Sequence, residues 1–199
     1  MKKEKETEAN RHLIVSDPRL LIDGSDLSIR RLLHSFLMLA SRLQKLHAHV
    51  ASLMGLTESQ YVLLMSVRHL SATKKPNISE LAKYLGLSHS FVTNQVTVLC
   101  ELKLLARSPG KDDGRVMLVS LTQEAFRLMD RSMPKIARLN DAIFEEIPIE
   151  LITALLPIVQ KTIKNTDKAL KLAAYFTVPP TEVSEELDPA IAKRVIDRR

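Results

Sequence analysis

At 199 residues the chain has room for one domain of ordinary size, or for a small domain with long arms. A single cysteine, Cys100, excludes an intrachain disulfide framework and a cysteine-rich zinc site, and it fits a reducing cytoplasm. The net charge of +6, concentrated in residues 26–122, suits a polyanionic partner, while the Leu-, Ala-, Lys- and Glu-rich composition with few Gly favours helices.

Residues 1–12 alternate in charge without periodicity and predict a solvated tail. No apolar core follows "MKKEKETEAN", so it is not a secretory signal. "LIVSDPRLLID" places two apolar clusters around a Ser-Asp-Pro turn and predicts an ordered arm, which completes an N-terminal segment of residues 1–25. A long helix begins near Asp26. Leu32, Phe36, Leu39, Leu43, Leu46, Val50 and Leu53 follow one another at alternating steps of four and three, a heptad stripe that demands a partner helix. Gly55 ends it. Thr57 and Gln60 form a capping-box pattern for a second helix to about Leu70. "SATKKPN" is a turn, Asn77 and Glu80 are placed to cap a short helix, Gly86 breaks the chain, and Ser88 caps the next helix, 88–102.

Beyond it the period changes from helical to alternating. "LLARS" and "RVMLVSL" flank "PGKDDG", which predicts a β-hairpin over 104–121 with a charged tip. Thr122 caps another long helix, in which Phe126, Met129, Met133, Ile136, Ile143 and Ile147 keep heptad spacing around a polar Asn140 and Pro134 is a candidate bend. Pro148 fits the first turn of a last long helix to about Tyr175, with a kink expected at Pro157. Its most apolar stretch, "LITALLPIV", is too short to span a bilayer, so no membrane partner is expected and the chain reads as a soluble cytoplasmic protein. After a Pro-Pro break, "DPAIAKRVIDRR" predicts a short amphipathic helix in a C-terminal extension, 176–199.

Helix, short helix, tight turn, helix and hairpin make a winged helix-turn-helix: one helix fits a major groove and the hairpin reaches the neighbouring minor groove. "LTESQ" (56–60), "ISELAKYLGLSHSFVTNQVTVL" (78–99), "LLAR" (104–107) and "DGRVMLVSLT" (113–122) resemble the MarR family of transcription regulators. The last stretch meets the family's wing signature at Asp113, Arg115, Val119, Leu121 and Thr122. The resemblance covers roughly residues 26–175. It implies a mainly α fold with a small β-hairpin: a DNA-binding module over 56–122, and a helical dimerisation layer from 26–55 and 123–175. It further implies a homodimer on double-stranded DNA. Two modules would then sit one helical turn apart on a pseudo-palindromic operator, the helix 88–102 and wing 109–115 of each would read it, and a ligand-responsive repressor is the activity implied.

The reading helix carries no Lys, Arg, Asp or Glu before Glu101. If Val92, Val96 and Leu99 face the core, the other face presents Ser90, Thr93, Asn94 and Thr97, with Ser88 and His89 at its start. Hydrogen-bonding groups of this kind select bases without net charge; the plain alternative is a solvated helix face. Lys74, Lys75, Lys83, Arg107 and Lys111 are placed for phosphates, Arg115 for a minor groove, and Asp113 to orient Arg115 by a charge-assisted bond. The chain departs from the family's usual residues at Asn94, where Arg is common, at Thr97 and Val98, where an acidic–basic pair is common, and at Lys103, where Gly is usual. Phe91 and Val98 lie off the core face. They either touch thymine methyls or cover a protein surface, and the second option keeps open a winged-helix interaction module without specific DNA binding.

The resemblance also implies a small aromatic or phenolic effector in a cleft between the dimer layer and the DNA-binding module. His47, Met65, Arg68 and His69 lie in that region of the sequence. No metal or cofactor is expected: His47 and His49 point to different sides of a helix, and no carboxylate cluster joins them or His34. Cys100 sits on the core-side edge of its helix and reads as an inert thiol. With no nucleophile–base pair and no phosphate-cradling Gly loop, the chain is not expected to be an enzyme.

Overall fold

The computed structural model describes residues 12–110 and 115–177. In chain order it holds α1 (Leu27–Leu53), α2 (Glu58–Leu70), α3 (Ile78–Leu85), α4 (His89–Glu101), the hairpin β1 (Leu105–Pro109) and β2 (Met117–Leu121), α5 (Gln123–Ile143) and α6 (Ile149–Thr177). This is the mainly α winged-helix order expected from the sequence. The helix expected in "DPAIAKRVIDRR", the tail up to residue 11, and the wing-tip residues Lys111 and Asp113 lie outside the described residues.

Local chemistry sets the boundaries. The Thr57 hydroxyl accepts from the Gln60 amide at 3.3 Å while the Gln60 side chain accepts from the Thr57 amide at 2.9 Å. Asn77 and Glu80 make the same reciprocal pair at 2.9 and 3.0 Å. Each such cap satisfies amides that a helix start leaves open, an effect of about 1 kcal/mol. Gly86 takes the left-handed conformation, φ +65°, that closes α3 and turns the chain into α4.

The chain divides into two compact units, one ending at Leu139 and one beginning at Asn140. The first unit's core is built where α2, α3, α4 and the hairpin meet: Leu64, Val67, Leu81, Val92, Val96, Leu99 and Val119 are fully buried. The strands pair antiparallel from Leu105 opposite Leu121 to Pro109 opposite Met117. On its other edge β2 is anchored by the Val119 amide, which donates to the Pro76 carbonyl at 2.8 Å, and by a bridge between Asn77 and Leu118. The wing is therefore held between its own first strand and the α2–α3 turn.

The arm is ordered, as its turn predicts. The Asp26 carboxylate, only 2 % exposed, accepts from the Ile14 amide and from the Arg30 Nε, both at 2.9 Å. Upstream, Asp17 caps a 3-10 turn, Pro18–Leu20.

The α1 stripe is corrected at its end. Val50, Ala51 and Met54 are the buried residues there, whereas Leu53 turns outward. The reason is that a strict seven-residue repeat drifts about 20° per heptad around a straight helix. Toward its start, Leu32, Leu33, Leu37 and Leu39 are exposed and apolar. In α5 the buried line is Ala125, Met129, Ser132 and Ile136, so Phe126 leaves the stripe and Ser132 joins it. In the second unit Pro148 stands just before α6 rather than in its first turn, its carbonyl accepting from the Leu151 and Ile152 amides. Within that unit α6 carries exposed Leu151, Leu155, Ile158, Ile163 and Leu170. No single helix among the described residues is long and apolar enough to cross a membrane.

Candidate nucleic-acid interface

The orientation of α4 follows from its core contacts. With Val92, Val96 and Leu99 sealed inside, the 100° step of the helix turns Ser90, Asn94 and Thr97 to the opposite side. Thr93 lies on one flank, toward β1, and Phe91 and Gln95 lie on the other.

The hydroxyls of this face are largely committed. Ser88 Oγ accepts from the Phe91 amide at 3.3 Å as the helix cap and lies 3.3 Å from Ser90 Oγ. Thr93 Oγ1 donates to the His89 carbonyl at 2.8 Å and lies 3.4 Å from His89 Nδ1. Thr97 Oγ1 donates to the Thr93 carbonyl at 2.9 Å. Arg107 on β1 reaches across: its Nη2 donates to Thr97 Oγ1 at 2.7 Å and to the Thr93 carbonyl at 3.4 Å. The sequence offers Thr97 as a base reader and Arg107 as a phosphate contact; the fold brings the two together, so that wing and reading helix are tied by side chains. Asn94 is exposed, and its amide keeps both donors and both acceptor positions open toward the surface.

The cations form a border. Lys75, Lys83 and Arg115 are exposed. Lys74 pairs with Glu80. That bond and the amide of Asn77 hold the Glu80 carboxyl below its ordinary range. On α4 itself, Cys100 is half-buried; burial pushes its thiol pKa up, against the opposing pull of Arg107.

Of the four residues named for a ligand, His47 lies on α1 and Met65, Arg68 and His69 lie on α2. The His47 and Tyr61 rings lie 5.7 Å apart, and Arg68 Nη1 donates to Met133 Sδ at 3.4 Å. Burial raises the Tyr61 hydroxyl pKa and Arg68 opposes the rise. Met65 packs against the core, while His69 stacks on Tyr84 of α3 at 5.8 Å. Among the described residues no three His, Cys, Asp or Glu side chains are grouped to hold a metal ion.

Two features escape a sequence reading. Lys103 takes φ +59° at the step from α4 into β1. Thr122 clasps that step, its Oγ1 donating to the Lys103 carbonyl at 2.6 Å and accepting from the Ala125 amide at 3.2 Å. The Gly usual at this position in the resembled family was the available signal for the first. The Arg107–Thr97 bond had none, because it depends on how the hairpin docks.

These elements define a winged helix-turn-helix fold. The model of the MarR family matches residues 54–116, and over this region the chain resembles transcriptional regulators of that family. A curated relative, the uncharacterised HTH-type transcriptional regulator YhbI of Bacillus subtilis (strain 168), is 25% identical over 92 residues. That match spans 46% of this chain and 58% of the relative's length. Solved structures share the fold. A MarR/EmrR-family regulator from Acinetobacter sp. ADP1 superposes with a TM-score of 0.58 at 18% identity, covering 70% of this chain and 96% of that one. CouR from Rhodococcus jostii RHA1, bound to p-coumaroyl-CoA, gives 0.55 at 22% identity, covering 63% and 86%. BldR from Sulfolobus solfataricus gives 0.56 at 18% identity, covering 67% and 96%.

Proposed function

We propose that the protein is a homodimeric, ligand-responsive DNA-binding regulator, a repressor, that reads a pseudo-palindromic operator with α4 and grips it with the wing. The observation that carries this reading is the face of α4: an open Asn94 amide, flanked by Ser90 and His89, with cations on the surrounding elements rather than on the helix itself. Asn pairs in bidentate fashion with adenine in a major groove. Lys75, Lys83 and the wing's Lys111 and Arg115 are then phosphate or minor-groove contacts, and Asp113 orients Arg115. Lys74 contacts DNA only by giving up Glu80.

The domain roles follow the same reading. Residues 56–122 bind DNA. Residues 26–55 and 123–175 dimerise, which is favoured by the apolar surface that α1 and α6 each leave uncovered. Residues 1–25 and 176–199 are extensions. An aromatic or phenolic effector, a class that fits the p-coumaroyl-CoA held by CouR, would engage the surroundings of His47, Met65 and Arg68, with His69 on the α3 side.

A gel shift on the intergenic DNA upstream of the gene, at two salt concentrations, tests the proposal. Specific binding that weakens steeply with salt is expected. A folded protein that binds no duplex would leave the interaction-module reading, for which exposed Phe91 speaks.

A further inference from the structure

The flank of α4 that carries Phe91 and Gln95 borders a cavity of about 220 Å³ that also reaches α1, α2 and the α3–α4 turn. Its floor is aliphatic, with Val62 and Leu85 among the contributors, and Leu87 and Phe91 form an exposed rim. Four polar side chains converge on it: Gln44 from α1, Glu58 and Ser59 from the first turn of α2, and Gln95 from α4. Among the described residues none of these four has a hydrogen-bond or ion-pair partner. No Lys, Arg or His lines the space, so Glu58 is its only charged group. The capping box at the start of α2 takes up the amides of Thr57 and Gln60, which leaves fewer donors for an anion there. His47, Met65, Arg68 and His69 are all absent from the lining.

We propose that this cavity binds a small organic cation, an ammonium or amidinium on a single-ring apolar body. The ring lies against Phe91, Leu87 and the aliphatic floor. The cationic head meets the Glu58 carboxylate, and the Gln44 and Gln95 carbonyls supply the remaining acceptors. The volume suits one ring and a short chain. An aromatic acid of the class expected elsewhere in the protein would bring its carboxylate toward Glu58 with no cation to offset the repulsion. The same occupant touches α1 through Gln44 and the reading helix through Phe91 and Gln95. It favours whichever spacing of the two helices fits it best, and so biases the position of Asn94. Binding stands independently of the DNA reading; only its effect on an operator rests on that proposal.

The test uses the full chain, labelled with nitrogen-15, and three matched probes: phenethylammonium, 2-phenylethanol and phenylacetate. Phenethylammonium is expected to shift the side-chain amide signals of Gln44 and Gln95 saturably and to bind at least tenfold tighter than phenylacetate. Glu58→Gln should reduce ammonium binding about tenfold and leave 2-phenylethanol within twofold. Phe91→Ala, on the exposed rim, should weaken all three probes alike. Glutamine signals that stay fixed with every probe, or a preference for phenylacetate, would overturn the proposal. A silent operator with intact ammonium binding would count against the DNA reading alone.

Discussion

The left-handed backbone at Lys103 is a cost that one residue imposes. A side chain at φ near +60° brings its Cβ against the following carbonyl, a penalty of about 1–2 kcal/mol that glycine escapes. Thr122 holds the turn in place by donating its hydroxyl to the Lys103 carbonyl. Lys103→Gly should therefore raise stability by about 0.5–1 kcal/mol, part of the relief being lost to the greater freedom of glycine in the unfolded chain. Urea denaturation measures it; a destabilised Gly variant would show that the lysine side chain does more than tolerate the turn. At this scale the sequence was informative wherever the chemistry is local. Thr57 with Gln60 and Asn77 with Glu80 are three residues apart, so spacing alone declares each cap. A φ angle at Lys103 is invisible in a lysine.

Between elements, the contacts that aim the reading helix depend on docking angles that periodicity does not encode. The Arg107–Thr97 bond ties β1 to α4 at 2.7 Å. A double-mutant cycle of Arg107→Ala and Thr97→Val should give a coupling of about 1 kcal/mol in operator affinity; additive effects would mean that each acts alone on DNA. The arm clasp offers a second check. The Ile14 amide, foremost, and Arg30 hold the Asp26 carboxyl below its ordinary 3.8, against the upward pull of burial. A carboxylate whose pKa is lowered by folding stabilises above the unfolded value and loses that contribution as pH falls through the folded one. Hydrogen exchange at the Ile14 amide, corrected for intrinsic rates, should thus accelerate as pH drops below about 4, and Asp26→Asn should show fast exchange at all pH. Unchanged protection in acid would dissociate the arm from Asp26. The long stripes show the opposite limit of sequence reading: the α1 heptads marked an apolar face correctly, but only the fold shows that its end turns to Val50, Ala51 and Met54.

Among the described residues, two helices leave apolar side chains open to solvent. Leu32, Leu37 and Leu39 on α1, and separately Leu151, Leu155 and Ile158 on α6, are each about half exposed or more. Sedimentation equilibrium should find a dimer at micromolar concentration, and Leu37→Lys combined with Leu39→Lys should shift it toward monomer; a wild-type monomer would remove the basis for two-fold operator reading. We propose a division of labour, in which α4, uncharged before Glu101, chooses the site and cations on neighbouring elements hold it. Operator affinity measured against salt concentration, for Asn94→Ala and for Lys75→Ala with Lys83→Ala, separates the two roles. Asn94→Ala should lose about 1–3 kcal/mol of preference for the operator over scrambled DNA with its salt slope intact, while the lysine pair lowers the slope by about 2 and spares the preference. An Asn94→Ala protein that discriminates as well as the wild type would contradict the claim.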